Sequence, residues 1–195
     1  VGEIFLKYNP FSQMDVVEWL IKQGVEVRVP ALLDFFTQYF VNAKAHQKAN
    51  LKRFSWKTAL NGLFEGMANY HINRYDTILR GFRYYHPADN IHEKAAEAAK
   101  IIRLTNQYGE GWLIAGEVAA FAKEKVHHVI SLQPFGCIAN HVISKGIEKR
   151  IKGHYPQMNL LFLDFDSNTS EVNVLNRLYF LIKSAREDAA LAEAN

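Results

Sequence analysis

The spacing of apolar positions changes several times along the chain, and each change predicts an element. Residues 3–8 are a short apolar-rich run that stops at Asn9-Pro10, the pattern of a buried strand ending in a turn. Ser12 follows as a helix cap, Val16, Leu20 and Gln23 share one face, and Gly24 is the stop. Val25, Val27 and Val29 then alternate with Glu26 and Arg28 until Pro30, which predicts a second strand. Strand, helix and strand joined by short turns open a βαβ unit and predict a parallel sheet.

From Ala31 to about Tyr108 the period is helical. Leu32, Phe35, Phe36, Tyr39 and Phe40 form one stripe. A long helix from Ser55 carries Leu60, Leu63, Phe64, Met67, Ile72 and Tyr75, and residues 92–104 are a further alanine-rich helix. The βα rhythm returns after Gly109. It predicts a helix over 111–125 and a strand over 126–132, then a helix with Ile138, Val142, Ile143, Ile147 and Ile151 inward. A strand over 159–163 follows, then an acidic loop and a last helix with Val172, Leu175, Leu178, Tyr179 and Ile182. The predicted fold is α/β and Rossmann-like: about four mostly parallel strands, flanking helices, and a helical insertion between the second and third strands. Residues 1–30 and 109–187 make the α/β lobe, 31–108 the insertion or subdomain, and 188–195 a frayed tail.

Composition narrows the class without choosing a function. The 195 residues are 49% hydrophobic and 22% charged, ordinary for a globular protein, with a net charge of +3. The basic stretch Lys44, His46, Lys48, Lys52, Arg53, Lys57 reads as a solvated helix face, so no nucleic-acid partner is expected. No apolar run approaches the roughly 18–20 residues of a membrane span, and no secretory pattern opens the chain. One cysteine excludes an intrachain disulfide framework, which makes a reducing cytoplasm the expected compartment. The chain starts Val1-Gly2-Glu3 and runs straight into apolar residues, the start expected of a domain cut from a longer protein.

That cysteine, Cys137, lies in the segment Gln133-Pro-Phe-Gly-Cys-Ile-Ala-Asn-His141, in a turn between predicted strand and predicted helix. Backbone N–H groups at a helix start favour thiolate, the form that attacks electrophiles and binds iron or zinc. Three readings stand: a small buried apolar residue, a catalytic thiol with His141 as base, and one ligand of a metal or cluster. No CxxC or HxxxH spacing completes a metal site within the chain. Gly136 gives the turn backbone freedom, and Pro134 restricts entry to it at Phe135. Asn140 and His141 read as caps and donors, and Asp164 and Asp166 as cation or substrate ligands or as turn formers. Ser170 caps the last helix, and Glu110 and Glu117 read as an exposed polar face.

Four blocks, 2–12 (GEIFLKYNPFS), 109–117 (GEGWLIAGE), 133–147 (QPFGCIANHVISKGI) and 163–177 (LDFDSNTSEVNVLNR), together resemble one family. It is the 2-hydroxyacyl-CoA dehydratase-related proteins, often labelled CoA-substrate-specific enzyme activases. The blocks occur in the family's order, and the middle helical region contributes little. The resemblance implies an iron–sulfur subunit fused to ATP-hydrolysing activase domains, which drive a low-potential electron into a 4Fe-4S cluster for dehydration of an acyl-CoA. It implies Cys137 as one cluster ligand, the others lying upstream in the parent polypeptide, so that this segment alone holds no cluster and is inactive. Gln133, Pro134, Phe135, Gly136, Asn140, His141, Asp164, Asp166 and Ser170 would line the cofactor site. The family's aspartate–tyrosine–aspartate is Asp164-Phe165-Asp166 here, so a hydroxyl is lost, and the ATP-binding signatures of an activase are absent. The alternative is a non-catalytic Rossmann-like binding or assembly module in which Cys137 is merely structural.

Overall fold

A computed structural model describes residues 1–49, 51, 56–137 and 140–193; it is 61% helical and its one sheet has two parallel strands. In chain order, α1 (Ile4–Tyr8), a 3-10 turn (Phe11–Gln13) and α2 (Val16–Lys22) precede three longer helices. These are α3 (Leu32–Lys48), α4 (Trp56–Leu79) and α5 (Ile91–Ile101). Then come α6 (Trp112–Lys123), β1 (His128–Pro134), a π-helical segment (His141–Lys145), α7 (Glu148–His154), β2 (Asn159–Phe165) and α8 (Glu171–Glu193). The strands run in register from His128 opposite Asn159 to Pro134 opposite Phe165.

The expected Rossmann-like sheet of about four strands does not form, and both amino-terminal strands are the error. Residues 4–8 are helical because carboxylates meet the amides a sheet would have taken. Glu3 accepts from the Leu6 amide at 3.0 Å, and Glu110, on the approach to α6, accepts from the Ile4 amide at 2.8 Å. A short apolar run does not distinguish a strand from one buried helical turn. What survives of the first strand is a single parallel bridge from Gly2 to Leu132. There the Leu132 amide donates to the Val1 carbonyl at 3.0 Å, and the Glu3 amide to the Leu132 carbonyl at 2.8 Å. Gly2 sits at φ +105°, and a β-carbon there would overlap the Leu132 carbonyl oxygen.

Among the described residues the alternating segment Val25–Val29 pairs with no strand. Val25 and Val27 pack against a core cluster, and Arg28 turns to an ion pair with Glu124. One packed side produces the same alternation as a half-buried strand. The helix expected directly after Cys137 is broken into the π segment and α7, and Val142, expected inward, is exposed. Ile138 lies outside the described residues.

Two core clusters cover the two faces of the sheet. One contains Val129 of β1 with α5, α6, the π segment and α7; Ser131 on the same face meets Ser144 through a buried 2.6 Å hydroxyl–hydroxyl bond. The other packs Leu132, Leu163 and Phe165 against Leu6, Leu20 and Leu178 of α1, α2 and α8. Gln133 and Asp164 follow the alternation of Ser131, so both strand ends send a polar residue toward the π segment. Among the described residues no helix is long and apolar enough to cross a membrane.

Candidate functional site

The carboxyl ends of β1 and β2 gather most of the expected residues into one cluster. The turn after β1 closes when the Cys137 amide donates to the Pro134 carbonyl at 3.1 Å, with Gly136 at φ +84°. The Phe135 amide donates to Phe165 at 2.8 Å, which leaves its exposed ring edge-on to His141 at 6.2 Å between centroids. Cys137 is half-buried, so the reading of a deeply buried apolar cysteine does not describe it. The π segment that follows has five residues, too short to supply a helix dipole at the sulfur.

Two hydrogen bonds hold His141, and a carboxylate lies near its ring. Its backbone amide donates to the Cys137 carbonyl at 2.9 Å, and its Nε2 accepts from the Gly136 amide at 3.3 Å. An Nε2 that accepts leaves the proton on Nδ1, which faces Asp164 Oδ1 at 3.5 Å. Lys145 Nζ donates to the other oxygen of Asp164 at 2.7 Å. Cys137, His141, Asp164 and Lys145 are thus linked around one turn, with the imidazole directed at the carboxylate rather than at the sulfur. That arrangement does not supply a base to Cys137.

Gln133 and Asn140 give the cluster its most unusual property. Both side chains are buried, at 0% and 1% exposure, and among the described residues neither oxygen nor nitrogen of either amide has a hydrogen-bond partner. Buried amides without partners are rare, and each unmet group costs about 1–3 kcal/mol. They flank Cys137 four residues before and three after. In sequence Asn140 reads as a cap, yet it caps nothing.

Asp166 and Ser170 turn to their own loop. The Asp166 carboxylate accepts from the Asn168 amide at 2.8 Å and the Thr169 hydroxyl at 3.0 Å, and Ser170 accepts from the Asn173 amide at 3.4 Å. These are the turn and cap bonds that strand-end aspartates and helix-start serines make. Within the basic stretch, Lys52 and Arg53 lie outside the described residues.

A second polar centre was only half visible in the sequence. Lys7 and Glu117 form a buried ion pair at 2.9 Å, and Lys94 reaches Asp34 at 2.5 Å and Asp89 at 2.8 Å. Burial raises the Asp34 carboxyl above its usual range despite Lys94, and burial likewise raises Glu110. Burial works against the Lys94 ammonium, but Asp34 and Asp89 outweigh it and hold it above its ordinary value. Lys94 and Glu117 line a cavity of about 800 Å³ between Gly24–Ala31 and Arg83–Pro87. The signal for Lys7 was a lone ammonium inside an apolar run; a buried charge demands a buried partner. Glu117, read as exposed, is that partner.

Among the described residues no group of three or more His, Cys, Asp or Glu side chains is arranged to hold a metal ion. No family model, curated protein or solved structure matches the chain.

Proposed function

We propose that this chain is a module of a 2-hydroxyacyl-CoA dehydratase-like or activase-like protein in which Cys137 supplies one thiolate to a 4Fe-4S cluster. One observation carries the reading: two buried amides, Gln133 and Asn140, have no hydrogen-bond partner among the described residues, and in sequence they stand four residues before and three after a half-buried cysteine. Amide N–H groups that find no oxygen in the protein are suited to donate to the sulfur atoms of a cluster, and such bonds help set its potential. Among the described residues Cys137 has no two further metal-ligating side chains beside it, so this reading requires a centre shared with other parts of a parent polypeptide.

The cluster, when bound, supplies the one-electron chemistry. The chain's own residues position and shield. The turn from Pro134 to Cys137 presents the sulfur at the end of β1, and the exposed Phe135 ring beside it offers an apolar cover. His141, bound at Nε2 by the Gly136 amide and turned toward Asp164, keeps its imidazole off the thiol. Lys145 balances the Asp164 charge at the rim. The partners of this reading are the remaining domains of a parent polypeptide, an ATP-dependent activase domain among them, with an acyl-CoA as substrate.

The test is made on the anaerobically purified parent polypeptide, in which cysteines outside this segment fill the other coordination positions. Wild-type protein is expected to retain iron with a cluster-type EPR signal after reduction, and Cys137→Ala to lose both while keeping its circular dichroism. Gln133→Leu is expected to keep the iron and shift the signal. Equal iron and an unchanged spectrum in Cys137→Ala would remove Cys137 from the ligand set and with it the proposal.

A further inference from the structure

Helix α4 is amphipathic the wrong way round. Its 24 residues present two carboxylates to the rest of the protein: Glu65, bound by Lys44 and His92, and Asp76, bound by Tyr85. The opposite side, which faces solvent, is apolar. Trp56, Leu60, Leu63, Met67 and Tyr70 are 37–68% exposed, and Arg74 continues their line. Their spacing alternates four and three residues, the seam of a coiled coil rather than the scatter of single exposed apolar residues. Gly62 and Gly66 run beside the seam with nothing within 4 Å of a β-carbon. Glycine inside a helix costs about 1 kcal/mol relative to alanine, and no contact within the chain calls for it here.

We infer that α4 pairs with α4 of a second copy of this chain, antiparallel, about a two-fold axis level with Glu65. The seam is complementary to its own reverse. In that register Trp56 meets Arg74 of the second copy, Leu60 meets Tyr70, and Leu63 meets Met67, each pair occurring twice. The end contacts set a guanidinium on an indole, a favourable cation–π pairing. Parallel pairing would instead set Arg74 against Arg74 in the seam, which opposes it. The size is also suitable. The six large apolar side chains exposed from Trp56 to Tyr70, which that register sets against the second copy, offer roughly 600 Å² per copy, taking about 200 Å² each at about half exposure. The smaller of the specific stable interfaces take about 600 Å² per partner. Such a two-fold contact closes on itself.

Sedimentation velocity of the full chain over a concentration series tests this. The chain is expected to sediment as a dimer at concentrations on the order of 100 µM. Leu63→Glu with Met67→Glu is expected to raise the dissociation constant at least tenfold with circular dichroism unchanged, since both positions face solvent in the single copy. Trp56→Arg alone should weaken the dimer similarly, and adding Arg74→Glu should restore it, because only antiparallel pairing sets the new arginine against the new glutamate. A wild-type chain that stays monomeric, or a dimer indifferent to the charges at 63 and 67, would overturn the proposal. Failure of the Trp56→Arg and Arg74→Glu pair to restore the dimer would overturn the antiparallel register.

Discussion

Lys7 and Glu117, 110 positions apart in sequence, meet as an ion pair at 2.9 Å with side-chain exposures of 3% and 0%. The pair ties α1 to the middle of α6, and the second oxygen of Glu117 has no hydrogen-bond partner among the described residues. Replacing one member strands a buried charge. Lys7→Met is expected to destabilise by about 3–5 kcal/mol, while Lys7→Met with Glu117→Leu recovers most of the loss. Urea unfolding of Lys7→Met, Glu117→Leu and the double variant against wild type measures the difference, and two losses that simply add would show that the pair is not coupled.

Glu97 accepts from Lys100 and Lys123, each at 2.7 Å, and from the Tyr155 hydroxyl at 2.9 Å. Lys100 first, then Lys123 and Tyr155, hold its carboxyl down at about 2 from an ordinary 4.5, and burial and Glu97 push the Tyr155 phenol up to about 12. A depressed folded-state value means stabilisation that is complete above 4.5 and is lost as the pH falls through about 2. Glu97→Gln is expected to flatten the stability profile across that window and to leave its shape at neutral pH alone. Denaturation midpoints measured on both sides of the window check this.

Two glycines in helical settings should answer oppositely to alanine. Gly111 caps α6 at φ +48°, and a β-carbon there would overlap the Asn106 carbonyl oxygen that accepts from Trp112. Gly111→Ala should cost more than about 1 kcal/mol through strain and the displaced loop. Gly66→Ala, with open space around it, should stabilise the monomer by about 0.5–1 kcal/mol. Thermal melts at dilute concentration give both signs.

His141 should change tautomer when its carboxylate partner is removed. In the wild-type chain nitrogen NMR is expected to find the ring proton on Nδ1, because Nε2 accepts from Gly136. Asp164→Asn should give a mixture of tautomers and release Lys145 from its 2.7 Å contact. An unchanged ring spectrum would mean that Gly136 alone orients the imidazole.

The carboxyl-terminal half was readable because its strands are flanked by strong punctuation. Val129 to Leu132 and Leu160 to Leu163 are apolar runs closed by Pro134 and by Asp164, and each precedes a helical pattern. The amino-terminal half was misread where local pattern is degenerate. Residues 4–8 become helix through Glu110, more than 100 positions away, and the valines at 25 and 27 alternate because one side packs. Of the site, Cys137 and its turn were visible in sequence, since glycine, proline and a lone thiol announce themselves. The isolation of Gln133 and Asn140 was not: whether an amide finds a partner is decided by what the fold brings near it.

From Trp112 to Ala122, helix α6 has no residue on the outside; only Ala120 is partly reached by solvent. A helix sheathed on all sides cannot open locally without lifting α3, α5, the π segment and α7 away together. Its amides should therefore be the last in the molecule to exchange with deuterium, and their rate should report the opening of the entire chain.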